Sequence, residues 1–202
     1  MPILVIAFWL AFFSLITQQF SNITLESERR DALFSQQPEL SFLRTVDDTG
    51  QISNLAQLAK NQQKTLIVEF IYTQCRAICL SLGDIFQQAQ AAIIEKNLDQ
   101  KLGLVSISFD VEHESPSTLQ AYRKRMHADP KVWSLLTMQN ASVLKAASDK
   151  IGLIVVPDPQ LGFVHNSAFL IVAKTGHLVG IFDTTEIDQA IALALKTSRT
   201  SI

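Results

Sequence analysis

Cys75 and Cys79 are the two cysteines in 202 residues, and they stand close together in IYTQCRAICL. A thiolate is both a nucleophile and a soft metal ligand. At i and i+4 on a helix both sulfurs face one side. A redox pair at a strand-to-helix turn is usually C-x-x-C. One more intervening residue turns the second sulfur back over the first, so two thiolates converge on a point, as a metal site requires. The pair can equally close a disulfide. Thiolates select Cu(I) or zinc over magnesium or calcium. Two ligands do not complete a site, so a third must come from elsewhere in the chain. Arg76 adds a positive charge beside Cys75. Of the four histidines, His113, His127 and His177 read as surface residues. His165, in GFVHNSAFL, stands three residues before an apolar run that begins at Ala168.

The elements that position these residues follow from the hydrophobic pattern. TLIVEFIY (65–72) and LGLVSISF (102–109) are near-continuous apolar runs, as expected of strands buried on both faces. A long helical pattern runs from Cys75 to about Glu95. Ser115-Pro116 starts a helix to about Met126, with serine as cap and proline at the first position. A third strand is expected at 132–136, a helix at 141–151 and a short extended piece at 153–156. A hairpin over 168–173 and 177–182 turns at Lys174-Thr175-Gly176, and a closing helix spans 185–196. A first hairpin, near residues 41–53, turns at Asp47-Asp48-Thr49-Gly50, and a short helix follows at 54–61. Strands alternating with helices mean crossover units and a mainly parallel sheet. Two such units, then a hairpin and a last helix, give an α/β thioredoxin-like fold. There the loop entering the strand at Ala168 faces the cysteine helix, and redox members carry a cis-proline in it. No proline follows Pro159 in this chain. From its position, His165 either presents an imidazole where a third ligand is needed or is a solvated loop histidine.

Composition narrows the function classes. Hydrophobic residues make up 48% and charged residues 18%, so a sizeable core is available. A net charge of −2 without a long basic run argues against nucleic acid as a partner. Arg123-Lys124-Arg125 reads as a solvated helix face. Pro2 to Ile16, PILVIAFWLAFFSLI, carries no charge. It is short for a spanning helix, and no basic residue precedes it. The expected organisation is a hydrophobic membrane anchor or signal segment at 1–17, a polar linker at 18–40, and the thioredoxin-like domain at 41–202.

Together these residues resemble the SCO/SenC family of copper-binding assembly factors for cytochrome c oxidase, from about Ser41 to about Lys196. The family's F-x-Y-T-x-C-x-x-x-C stands here as Phe70-Ile71-Tyr72-Thr73-Gln74-Cys75-Arg76-Ala77-Ile78-Cys79. Its I-S-[IV]-D-P-x-x-D-[TS]-P stands as Ile107-Ser108-Phe109-Asp110-Val111-Glu112-His113-Glu114-Ser115-Pro116. Its copper histidine lies eleven residues before the glycine of the last hairpin, a separation that His165 and Gly176 keep. The chain departs from the pattern at Leu80 and Val111, where prolines are usual. It departs again at Val164, where an acidic residue is common, and at Asn166, where Ser or Thr is usual. The resemblance implies a membrane-anchored or exported protein whose soluble domain faces the periplasm. It would hold copper, as Cu(I) or Cu(II), through Cys75, Cys79 and His165. The expected recipient is cytochrome c oxidase subunit II or another copper-site protein. The alternative is a thiol–disulfide oxidoreductase that keeps partner cysteines reduced. In that reading Cys75 attacks and Cys79 resolves the mixed disulfide.

Overall fold

In the computed structural model the described residues are 5, 6, 8, 9, 12, 32, 33, 35–74, 78–160 and 162–200; for 78–83 only the helical backbone is described. The chain divides into two compact units, 1–36 and 37–202. The first carries the expected anchor, most of which lies outside the described residues. No described helix is long and apolar enough to cross a membrane.

The second unit is built on a seven-stranded sheet ordered β2-β1-β5-β4-β3-β8-β9. Its centre consists of the two apolar runs. β3 (Thr65–Ile71) and β4 (Leu102–Ser108) are buried at every residue and pair in parallel from Thr65↔Leu102 to Ile71↔Ser108. β5 (Trp133–Met138) continues the parallel sheet on the far side of β4. Two helices make the crossovers. α2 (Ile78–Glu95) links β3 to β4, and α3 (Pro116–Met126) links β4 to β5. The first hairpin, β1 (Arg44–Asp47) with β2 (Ile52–Asn54), lies antiparallel against β5. The last hairpin, β8 (Ala168–Val172) with β9 (Leu178–Asp183), lies antiparallel against β3. The fold is α/β and thioredoxin-like, as the pattern predicts.

α1 (Leu55–Gln62), α4 (Ala141–Ile151) and α5 (Ile187–Arg199) complete the unit. On one face of the sheet, Ile67, Ile71, Leu104 and Phe169 pack with Phe86 of α2, Leu119 and Tyr122 of α3, and Ala190 and Ala194 of α5. Trp133 and Phe86 meet edge to face at 5.4 Å. Helix starts are fixed locally. Ser115 forms a capping box with Thr118, and the Asn140 side chain accepts from the Ser142 and Val143 amides at the start of α4.

Two features depart from the expectations. The domain begins ahead of Ser41: Leu40 is fully buried, its amide donates to the Gly176 carbonyl, and the Leu178 amide donates to the Pro38 carbonyl. A second, separate sheet also forms. β6 (Val155–Asp158) pairs antiparallel with β7 (Gly162–His165), and neither joins the main sheet.

Candidate metal centre

β3 and β4 are parallel, so their C-terminal ends lie side by side at the Ile71↔Ser108 pair. In open parallel sheets this edge is where ligands bind. Tyr72, Thr73 and Gln74 carry the chain from β3 toward Cys75, while Phe109 and Asp110 leave β4 beside them. Cys75, Arg76 and Ala77 lie outside the described residues. Cys79 lies in the first turn of α2, at the positive end of the helix dipole, which favours a thiolate; its side chain is not among those described.

His165 ends β7, and aromatic packing brings it to the same edge. The Tyr72 and Phe109 rings lie 5.6 Å apart, and Phe163 meets Tyr72 edge to face at 5.2 Å and Phe109 at 5.6 Å. The imidazole of His165 sits 4.9 Å from the Phe109 ring. Tyr72 stands three positions before Cys75, and Phe163 two before His165. The cluster therefore ties the β6–β7 hairpin to the strand end that leads into the cysteines. Gly162 opens β7 in the left-handed region that favours glycine. Its φ is +81°, and a Cβ there would lie 3.4 Å from the Tyr72 ring.

The His165 tautomer follows from its partner. Nδ1 is 3.1 Å from the Asn166 carbonyl, an acceptor, so Nδ1 carries the hydrogen and Nε2 the lone pair. Burial holds the imidazole pKa below its ordinary value, against the opposing pull of this hydrogen bond. In this tautomer the ring presents its Nε2 lone pair, the form in which an imidazole can bind a metal. Asn166 fixes the loop in turn. Its Oδ1 accepts from the Ile154 amide (2.8 Å) and its Nδ2 donates to the Gly152 carbonyl (2.9 Å).

The other histidines make different contacts. His113 is exposed and its Nδ1 is 2.8 Å from Asp110 Oδ1; that hydrogen bond raises its pKa. His127 is the left-handed cap of α3. His177 is half-buried rather than superficial, because its backbone bridges to Glu39. Among the described residues no three His, Cys, Asp or Glu side chains converge; both cysteine sulfurs lie outside that set.

Arg123-Lys124-Arg125 is not the freely solvated run the sequence suggests. Arg123 Nε donates to Asp48 Oδ2 at 2.6 Å, and its Nη1 to the Ala128 and Trp133 carbonyls. Arg125 Nη2 donates to the Thr73 carbonyl at 2.5 Å. Sequence reasoning also gives no role to Phe109, Phe163 or Glu114. Glu114 Oε1 accepts from the Thr73 amide at 2.9 Å and from Ser108 Oγ at 3.0 Å. Its position in the stretch from Ile107 to Pro116 was the available signal.

A family model described as SCO1/SenC matches residues 41–199. The chain belongs to the SCO1/SenC family. A SCO1 protein homolog of Bacillus subtilis (strain 168) is 23% identical over 122 residues, 59% of this chain. The match spans 62% of that relative's own length. The fold is shared with BsSco, a member of the Sco family of cytochrome c oxidase assembly proteins in which a disulfide switch was identified. There the TM-score is 0.66 at 20% identity, covering 81% of this chain and 96% of the other. It is shared also with copper-bound ScoI of Bradyrhizobium japonicum, at TM-score 0.60 and 21% identity, covering 77% and 96%.

Proposed function

We propose that this SCO1/SenC protein is a copper carrier for assembling the copper site of cytochrome c oxidase. Cys75, Cys79 and His165 hold the metal as cargo. The observation that carries this reading is His165, whose Nδ1 is taken by the Asn166 carbonyl, whose Nε2 has no partner among the described residues, and whose ring is held on Phe109 at the strand edge that leads into Cys75. Copper in the Bradyrhizobium japonicum relative and the assembly role of the BsSco family support it. Two thiolates suit Cu(I), and the imidazole adds the nitrogen donor that Cu(II) prefers. The recipient in this reading is subunit II of the oxidase. Residues 1–17 tether the chain to the membrane, the polar stretch after them forms a linker, and the domain from residue 37 on works on the periplasmic side.

The disulfide switch described for BsSco favours a second reading, thiol–disulfide exchange by the same pair. Cys75 thiolate attacks a partner's disulfide, Cys79 thiolate then attacks Cys75 Sγ, and the partner leaves with both sulfurs reduced. Anaerobic titration of the reduced full chain separates the readings. One copper per chain, lost on oxidation to an internal disulfide, supports the carrier. Zinc-only binding, or none, removes it.

A further inference from the structure

The peptide units around Thr73, two residues before Cys75, are gripped from both sides by charged side chains from the two ends of one helix. Glu114 precedes the Ser115 cap of α3, and its Oε1 accepts the Thr73 N–H at 2.9 Å. Arg125 lies in the last turn of α3, and its Nη2 donates to the Thr73 C=O at 2.5 Å. Both grips are themselves held. Ser108 Oγ donates to the same Glu114 oxygen at 3.0 Å, and Thr118 Oγ1 donates to Glu114 Oε2 at 2.7 Å. The Arg125 guanidinium stands 5.0 Å over the Tyr122 ring, and Tyr122 is buried in the core. Thr73 is only 5% exposed, so neither of its backbone groups has easy recourse to water if its partner is lost.

A loop normally satisfies its backbone through water or neighbouring turns. Here an anionic acceptor and a cationic donor are committed to one residue, and hydrogen bonds to charged groups are the stronger kind. The segment they hold leads directly into Cys75. We infer that Glu114 and Arg125 are positioning residues for Cys75: they set the direction in which the chain leaves β3 and so the separation of the two sulfurs. The inference rests on the reading of Cys75 and Cys79 as the working pair. It does not depend on which of the two proposed functions they serve.

The test uses the full chain and two measurements. The first needs no metal: the equilibrium constant for forming the Cys75–Cys79 disulfide with glutathione disulfide, which releases two glutathione thiols. It reads how well the sulfurs are aimed at each other. The second is the thiolate-to-Cu(II) charge-transfer band. Glu114→Ala and Arg125→Ala should each lower the glutathione constant by roughly tenfold, on the scale that small misplacements impose on intramolecular reactions, and should shift the band. Glu114→Gln, which keeps an oxygen for the Thr73 amide, should stay near the wild-type constant. Arg125 is exposed, so its truncation leaves the core intact and covers the case in which Glu114→Ala does not fold. A residue that only braced α3 would lower the melting temperature and leave the constant unchanged. Wild-type constants and spectra in both alanine variants would overturn the inference. If the wild-type chain binds no copper but the constants still fall, the carrier reading fails and the positioning role stands.

Discussion

His165 offers a single nitrogen to the site, because its other nitrogen is committed to the Asn166 carbonyl. Truncation to alanine therefore separates the two proposed functions. Two thiolates should still take Cu(I), whereas the Cu(II) form, which wants nitrogen or oxygen donors, should be lost. The Cu(II) band should vanish in His165→Ala while the rate of reducing a disulfide substrate changes little. An unaltered band would show His165 to be a bystander, with His113 the next candidate. Burial lowers the pKa of His165, so protons compete for its Nε2 at a lower pH than they would for the same histidine in solvent. Glu69, on β3, presents a different problem. It is fully buried, Ser106 Oγ donates to its Oε1 at 2.5 Å, and Trp133 Nε1 donates to that serine at 2.8 Å. Its Oε2 has no partner among the described residues. Burial pushes the carboxyl up to about 8, against the pull of Ser106. The folded chain thus keeps a proton that the unfolded chain releases near the ordinary value of 4.5. The stabilisation is fully present below that value and is lost as pH rises toward 8. Glu69→Gln mimics the neutral form. It should leave urea stability at pH 4 nearly unchanged and raise it at pH 8 by on the order of a few kcal/mol. Equal effects at both pH values would show that Glu69 does not titrate in this window.

At the scale of elements, what the sequence shows depends on whether a signal is local. β3 and β4 are legible because strands covered on both faces read as unbroken apolar runs. α3 and α4 are legible because Ser115, Asn140 and Gly152 mark their ends in single residues. The pairing of β1 with β5 is not, since the partner of an edge strand is chosen by tertiary contacts. The β6–β7 hairpin is the clearest omission. Pro157 and Gly162 read as loop, and exposed Val156 and Val164, paired across the strands, mimic no buried face. Of the site, the cysteine pair and His165 could be picked out by type and spacing. Arg125 could not, because its partner is the backbone of Thr73, which leaves no side-chain pattern; Glu114 was signalled only by its place in the stretch from Ile107 to Pro116. Gly162 tests the hairpin directly. An alanine there must adopt φ near +81° and meet the Tyr72 ring. Gly162→Ala should cost about 1–2 kcal/mol in a urea melt and weaken Cu(II) binding with it. An unchanged midpoint would mean that the hairpin can shift away from Tyr72 at no cost.

For the domain from residue 37 onward, the site's two halves rest on unlike foundations. The cysteine side grows out of the centre of a seven-stranded sheet, where β3 and β4 are buried throughout. The histidine side ends a two-stranded ribbon of four residues per strand that shares no ladder with that sheet. A lone ribbon of this kind is marginal in water and leans on its Phe163 contacts. The consequence concerns time. Amide hydrogens of Val164 and His165 should exchange with solvent at least about 100-fold faster than those of Val68 and Val105, because local opening of the ribbon needs no disruption of the core. Cargo bound to both sides would then leave at a pace set by the ribbon's opening, with the thiolate side staying put. Loading with copper should slow exchange in the ribbon and leave the central strands as they were. Equal protection in ribbon and sheet before loading would instead make the whole domain one cooperative unit, and release would require a different gate.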